Sequence, residues 1–496
     1  MPKKLPIFYS ALLLTGVNLL LRFVSTSFQV YISGRIGAAG VGLLQLVMSV
    51  GSLALTAGMA GVRTATMYLA AGEIGRKCPQ NIYWVLSSCI LYSILCSGAI
   101  SILLYILAPY LAVNWVGNAD TTEAIRLFSF TIPVSCLCGV MTGYFTAANR
   151  IGTLAAVEVA EQLFSMTVTM SILTLWAGHD PVKACQSIIF GSCISTCLTL
   201  CTLVILRLTE HPHKGARIPI QNRLLDTAVP LALADDLRSG ISTTENLMVP
   251  KRLALYAGVS NPLAAFGMVC GMVFPVLMFP AAILYALAEL LIPELARCAA
   301  AESRQRIRYL VKRGLKVALL YGCFFCGLEY LLSGELCLWL YGSEEAGEYL
   351  RLYALLIPML FCDSITDAMT KGLGQQKACV RYNIITSTMD IAFLFVLLPK
   401  FGMMGYFFSF LVTHLLNFIL SLRRLLKITG KVLSPTIPVL AGVATIGACV
   451  IASHVYQPIL RGCAFAALLS CLLVLFKVVG KEDLLWIQGL IGKKQI

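Results

Sequence analysis

The sequence predicts an all-α polytopic membrane protein with fourteen transmembrane helices, arranged as two parallel six-helix repeats plus two C-terminal helices. Three observations lead there. Of 496 residues, 58% are hydrophobic and only 12% are charged, against about 25% charged in an ordinary soluble domain. Apolar runs close to the ~20 residues needed to cross a bilayer recur from end to end. Finally, "EAIRLFSFTIP", Glu123 to Pro133, returns without gaps as "EYLRLYALLIP", Glu348 to Pro358.

Taken in order, the apolar runs and their breakers place spans near 8–33, 41–71, 82–112, 123–147, 152–177, 183–207 and 224–250. They continue near 262–296, 310–341, 348–373, 378–398, 403–426, 436–456 and 460–479. Spans two and eight are long, which tilt accommodates. The opening "MPKKLPIFYSALLLTGVNLLLRF" is similar to a signal peptide, with Lys3 and Lys4 ahead of an apolar run. No small-residue cleavage site follows and further spans do, so it reads as a retained first helix.

In the repeat, Glu123/Glu348, Arg126/Arg351, Leu127/Leu352, Ile132/Ile357 and Pro133/Pro358 are identical. Each copy opens a span and leads to a basic turn, "AANR" or "GLGQQK". Six spans separate the copies, an even number, so both halves enter the membrane in the same sense. The expected organisation is an N-lobe over 1–208, a cytoplasmic linker over 209–223 and a C-lobe over 224–428. Spans 13 and 14 follow over 432–480, then a cytoplasmic tail over 481–496.

The net charge of +14 does not point to nucleic acid, because the basic residues gather in alternate loops, as the positive-inside rule requires. "RCAAAESRQRIRYLVKRGLK", "RLTEHPHKGARIPIQNR" and "RRLLKITGK" read as cytoplasmic, with both termini; "YGSEEAGEYLR" reads as external. The expected neighbours of the basic loops are anionic lipid headgroups. Nearly all of the 19 cysteines fall in apolar spans, where a thiol packs as a small hydrophobe. Cys323 and Cys326 form C-x-x-C inside an apolar helix, and the five histidines lack ligand spacing. No metal or other cofactor is expected.

One span stands out. "VPLALADDLRSGISTTENLMVPKRL", Val229 to Leu253, places Asp235, Arg238, Ser242 and Glu245 three, four and three residues apart, which makes one stripe on a helix face. At roughly 2.5–3.5 kcal/mol each at a membrane centre, the four charges Asp235, Asp236, Arg238 and Glu245 would cost about 10–14 kcal/mol in lipid. That is comparable with the whole stability of a domain, so the stripe must face protein or water. An internal salt bridge from Asp235 to Arg238 is one reading; a water-filled cavity between the lobes is the other, and it also accounts for Glu245. Asp236 lies off the stripe and reads as interfacial, and Lys251 and Arg252 read as solvated charges at the outer surface.

The first span repeats the theme with Asn18, Arg22 and Gln29, spaced by four and seven residues, and span two adds Arg63. Buried arginines suit phosphate, which they grip bidentately. Glu158, Glu161, Glu289, Asp363, Asp367 and Asp390 are further candidates for lining a cavity, or equally for bonding helix to helix.

The pieces "RSGISTTENLMVPKRL" and "GMVFPVLMFPAAILYALAELLIPELA", with the turn "GYFTAANR", resemble the superfamily of MATE transporters, polysaccharide flippases and lipid II flippases. Pro280 and Pro293 around "AAILYALAELLI" are similar to its sporulation-type members. The resemblance runs along nearly the whole chain. It implies movement of an undecaprenyl-pyrophosphate-linked oligosaccharide across the cytoplasmic membrane, by alternating access, for spore-cortex or envelope synthesis. Arg22 looks equivalent to a cavity arginine in the first helix of lipid II flippases. The second arginine expected six residues later is Phe28 here, and the arginine and glutamate before the span-eight proline are also missing. The resemblance therefore leaves the sugar open.

The expected partners are a lipid-linked oligosaccharide, membrane lipids and H+ or Na+ as coupling ion, with the chain acting as a monomer. The alternative is a cation-coupled multidrug exporter of the MATE type. Such exporters typically have twelve helices, and the resemblance assigns the extra two to a lipid tail. A membrane transferase would need a base or metal-binding carboxylates in a sizeable surface loop, and no outer loop exceeds about fifteen residues. A transporter is expected, not an enzyme.

Overall fold

The computed structural model describes residues 7–76, 78–178, 180–209, 220–430, 432 and 434–480, and among them every regular element is helical. Of the expected linker, residues 210–219 lie outside the described residues, as does the whole tail 481–496. The first helices are α1 (Ile7–Met59), α2 (Val62–Gly75), α3 (Ile82–Leu111), α4 (Thr122–Ala147), α5 (Ile151–Ile172), α6 (Pro181–Leu208), α7 (Gln221–Leu253) and α8 (Pro262–Gly267). Up to Gly271, and joined by Ile391–Gly405, they form one compact unit. The second unit holds α9 (Phe274–Leu277), α10 (Ala281–Ala300), α11 (Arg304–Tyr341), α12 (Glu344–Ala354) and α13 (Ile357–Gly372). The rest of α14 (Gln376–Thr429), α15 (Thr436–Ala452) and α16 (Pro458–Leu475) complete it.

Several starts follow from local chemistry. The Val182 N–H donates to the Asp180 carboxylate at 2.9 Å, with Pro181 in the first turn of α6. The Ala264 N–H bonds Asn261 at 3.0 Å, and the Ala346 N–H bonds the Ser343 hydroxyl at 3.2 Å. Each side chain satisfies a backbone donor that the first turn leaves over.

The breaks are less regular than the apolar runs suggest. Gly37, at φ 67° and ψ 176°, kinks α1, and Gly402, at φ 56° and ψ −138°, kinks α14; only glycine adopts such angles cheaply. Span two is not one helix, since it crosses from α1 into α2 over Ala60 and Gly61. Gly61 has φ 69°, and a Cβ there would stand 2.5 Å from the Ala228 carbonyl oxygen of α7. The absence of a side chain lets this turn close on α7. Span eight bends by 62° between α9 and α10, and span ten bends by 54° between α12 and α13. Pro280 and Pro358 sit at these breaks, where a missing N–H costs nothing.

By length and apolarity, seven of the described helices could cross a membrane, or up to nine if each bent pair is one span. The apolar exterior fits lipid as solvent. On α3, for example, Leu95, Ile102 and Ile106 are all about two-thirds exposed, a loss that only a bilayer relieves. This is a multi-pass membrane protein.

The core of the first unit joins Val62, Leu69, Val85, Tyr144, Phe145 and Leu224. α7, placed in the second lobe by its sequence position, packs here on α1 and α2. In the second unit, α15 and α16 pack on α11 through Cys323, Ala444, Ala448, Phe465 and Leu469. Both copies of the repeated segment open a helix packed on the one before it, α4 on α3 and α12 on α11. Pro133 lies within continuous α4, whereas Pro358 begins α13 after the bend.

Candidate functional site

Two contacts hold α7 in place along its inner side. The Thr243 hydroxyl donates to the Ser49 carbonyl at 3.2 Å, and the Asn246 amide donates to the Ser49 hydroxyl at 3.0 Å. At the start of α7, Arg223 bonds the buried Glu73 carboxylate at 3.0 Å. Glu73 also takes Arg76 at 3.1 Å and Asn81 at 2.8 Å. A helix too charged to be a simple lipid span is thereby fastened to α1 and α2.

The charged stripe lies about a quarter-turn round α7 from the Thr243 and Asn246 anchors. Asp235, Arg238 and Ser242 are exposed and Glu245 is half-buried. Among the described residues no ion pair joins Asp235 to Arg238, so the salt-bridge reading fails for that pair.

Asp236 requires a correction. It is not a mere interfacial charge, for it lines a cavity of about 730 Å³ and its Oδ1 is buried with no hydrogen-bond partner. The cavity wall is apolar, from Leu53, Trp115, Ile241, Leu247 and Phe395, with Thr243 and Thr244 between. Lys251 and Arg252 close it further along α7. They too differ from expectation, since neither is simply solvated. Lys251 donates to the Asn114 carbonyl. Arg252 donates to the Phe395 carbonyl through Nε at 3.2 Å and Nη2 at 2.8 Å, with its guanidinium 3.5 Å from the Phe395 ring centroid. With Phe395 51% exposed, such a stacking is worth roughly 0.5–1 kcal/mol. The result is a long apolar pocket with a carboxylate at one place and two fixed cations at another.

The other first-unit candidates take different roles. The Asn18 side chain lies outside the described residues, and Arg22 is half-buried and has interaction partners. Gln29 is structural here, its amide donating to the Gly271 carbonyl at 3.1 Å. Arg63 is exposed on α2, within electrostatic reach of Glu158 on α5. Glu161 bonds helix to helix, its carbonyl accepting from Ser195 at 2.8 Å and its carboxylate from Thr196 at 3.2 Å.

In the second unit, Glu289 is exposed on α10, whereas the aspartates join a buried polar ladder. Asn417 donates to both oxygens of Asp363, at 3.0 and 3.2 Å, and His414 Nδ1 lies 3.6 Å from Oδ2. Asp390 accepts from Ser409 at 2.6 Å and from Thr413 at 3.2 Å. Asp367 pairs with Lys371 at 2.7 Å. Ser409, Thr413, Asn417 and Ser421 recur every four residues on one face of α14, the spacing of neighbours along a helix. Among the described residues, no group of three or more His, Cys, Asp or Glu could hold a metal ion.

Known proteins can now be set beside this arrangement. The family model MatE matches residues 253–396. Stage V sporulation protein B of Bacillus subtilis (strain 168) is 22% identical over 95% of this chain and 96% of its own. Among solved structures, the lipid II flippase MurJ in an inward closed conformation superposes with TM-score 0.69 at 14% identity, covering 94% of this chain and 98% of that one. An inward-facing multidrug resistance MATE family transporter of the MOP superfamily gives TM-score 0.69 at 13% identity, covering 84% and 98%. The chain has the MATE fold. Its similarity to Stage V sporulation protein B runs along nearly the whole chain.

For a MATE-fold chain, the residues that sequence reasoning passed over are as informative as those it found. Glu73 and Glu329 are buried, at 3% and 5% exposure. Glu329 is the only charge in "YGCFFCGLEYLLSG", a visible signal in an apolar run. His414 and Asn417 were equally visible as polar residues in "FLVTHLLNF".

Proposed function

We propose that the chain is a flippase, moving an undecaprenyl-pyrophosphate-linked oligosaccharide across the cytoplasmic membrane by alternating access. The observation that carries this is the α7 cavity. Its apolar wall suits a polyprenyl chain, and the fixed Lys251 and Arg252 suit the pyrophosphate. Asn18, Arg22, Arg63, Asp235, Arg238, Ser242 and Glu245 belong, in this proposal, to the same aqueous path, with carboxylates holding sugar hydroxyls. Extent of similarity supports the choice. The lipid II flippase covers 94% of the chain and the multidrug transporter 84%, and the difference, a tenth of the chain, is the size of the segment 432–480.

The proposal includes the fourteen-span, two-repeat layout, with cytoplasmic termini, lobes at 1–208 and 224–428 and a linker at 209–223. It places the chain in spore-cortex or envelope synthesis, as a monomer. A coupling ion, H+ or Na+, would use the polar ladder of α13 and α14. That ladder is also what favours the second reading, a cation-coupled drug exporter, because buried acids attract a lipophilic cation as readily.

Reconstituted vesicles separate the two. A polyprenyl-pyrophosphate sugar should cross and a lipophilic cation should not. Ion-driven efflux of the cation, with the lipid unmoved, would establish the exporter instead.

A further inference from the structure

A second opening lies in the other unit. About 690 Å³ of space is enclosed by the C-terminal part of α11, by α12 and by the ends of α15 and α16. Its rim carries Glu335, Glu344, Glu348 and Arg351, and its wall includes Ser333 and Cys449. Arg461 fixes this architecture. It donates to Glu335 at 2.7 Å, to the Leu331 carbonyl at 3.2 Å, and to the Val455 and Tyr456 carbonyls at 2.8 and 3.1 Å. Arg351 is stacked 4.6 Å from the Tyr330 ring and donates to its hydroxyl at 3.2 Å. The vestibule thus keeps an acid-rimmed mouth between α11, α12 and the two appended helices.

One helical turn below Ser333 sits Glu329. It is 5% exposed, and its Oε2 has no hydrogen-bond partner. It stands twelve residues before the end of α11 at Tyr341, ~18 Å at the helical rise, which is deep in a bilayer core about 30 Å thick. Its titratable neighbours are Tyr321, Cys326 and Cys337 on its own helix, and Cys326 also touches Cys449 of α15. Among the described residues, no cation or second carboxylate faces it. A lone carboxylate in such a place is too costly to keep ionised, so the neutral acid is the form the setting admits. A Leu or Met would fill the same space without that demand.

We propose that Glu329 is a proton-binding site, exchanging its proton with outer water through the vestibule at Ser333, and that its occupancy makes transport depend on outer pH. It rests on the transporter reading and on the outward placement of Gly342–Glu348. Binding is simple transfer: the carboxylate takes one proton from hydronium, leaving water, and returns it to water on release. Among the described residues, no group of three or more His, Cys, Asp or Glu is there to hold a metal ion, so the proton is the cation assigned to Glu329.

The test has one arm that needs no substrate. Purified protein in nanodiscs is treated with an apolar carbodiimide, which reacts with protonated, buried carboxyls, and the product is mapped by mass spectrometry. Glu329 should be modified at neutral pH and protected at strongly alkaline pH. No modification of Glu329 at any pH would overturn the proposal, and this arm uses the unaltered chain. The second arm measures transport of a polyprenyl-pyrophosphate sugar in vesicles while outer pH is varied. Acid outside should accelerate the wild type several-fold, whereas Glu329→Gln, which keeps the shape of the neutral acid, should lose that dependence. Glu329→Gln that responds to outer pH as the wild type does would refute the coupling. If the lipid does not move at all but Glu329 is modified as described, the proton site stands and the substrate reading falls.

Discussion

Glu73→Gln should loosen the start of α7. The Glu73 side chain is 4% exposed, and the two arginines that meet it, Arg76 and Arg223, are 62% and 40% exposed. A fully buried pair that loses one partner costs about 3–5 kcal/mol, and an exposed pair about 0–1 kcal/mol. With the carboxylate buried and the guanidinium heads half in water, the Arg223 pair belongs between those limits, at about 1–2 kcal/mol. Glutamine keeps the Asn81 contact and most of the volume, so the total loss should be about 1–3 kcal/mol once Arg76 is included. A double-mutant cycle isolates the long-range part: Glu73→Gln, Arg223→Gln and both together, with stability measured by denaturation in detergent. The expected coupling is about 1–2 kcal/mol. Additive single effects, with coupling within about 0.3 kcal/mol of zero, would show that this contact does not hold α7 to α2. High salt should weaken the effect only modestly, because the carboxylate itself is shielded.

Three further outcomes follow from the same structure. Asp236→Leu should leave stability unchanged or raise it by about 1 kcal/mol, because a buried unpartnered oxygen is removed, while transport should fall at least tenfold; unchanged transport would remove Asp236 from the site. Arg252→Ala should destabilise by about 1–2 kcal/mol through loss of the half-exposed Phe395 stacking and carbonyl bonds, whereas Arg252→Lys should restore less than half of that loss. Single cysteines at Arg306 and at the exposed Glu345, in a background without native cysteines, should be labelled from opposite sides of the membrane, and outside labelling at Arg306 in intact cells would overturn the topology.

Much of the fold was legible because lipid imposes a simple rule, that long apolar runs cross and basic loops stay inside. The rule says little about where a span breaks. Gly37 and Gly402 could be read as glycine, but their positive φ follows from packing; Gly402, for example, lies against Tyr256. The turn at Ala60 and Gly61 depends likewise on an approach to Ala228, far away in sequence. Helical periodicity found the face of Asp235, Arg238 and Ser242 but misjudged their neighbours. Asp236 lies off the stripe in the helical pattern, yet it lines the cavity. Lys251 and Arg252 looked like solvated ends because their partners, Asn114 and Phe395, are distant in the chain. Gln29 and Glu161 show the converse, polar residues on a promising face that turn out to bond one segment to another. Glu329 needed only closer attention to a single charge in an apolar run.

The α7 cavity as substrate site is the central claim, and covalent capture tests it most directly. A polyprenyl-pyrophosphate sugar with a photoreactive group near its pyrophosphate is illuminated with the reconstituted protein, and the attached peptides are sequenced. Labelling should concentrate between Asp236 and Arg252, and excess unlabelled lipid should compete it away. Labelling that avoids this stretch, or that a lipophilic cation displaces while the unlabelled lipid does not, would contradict the account.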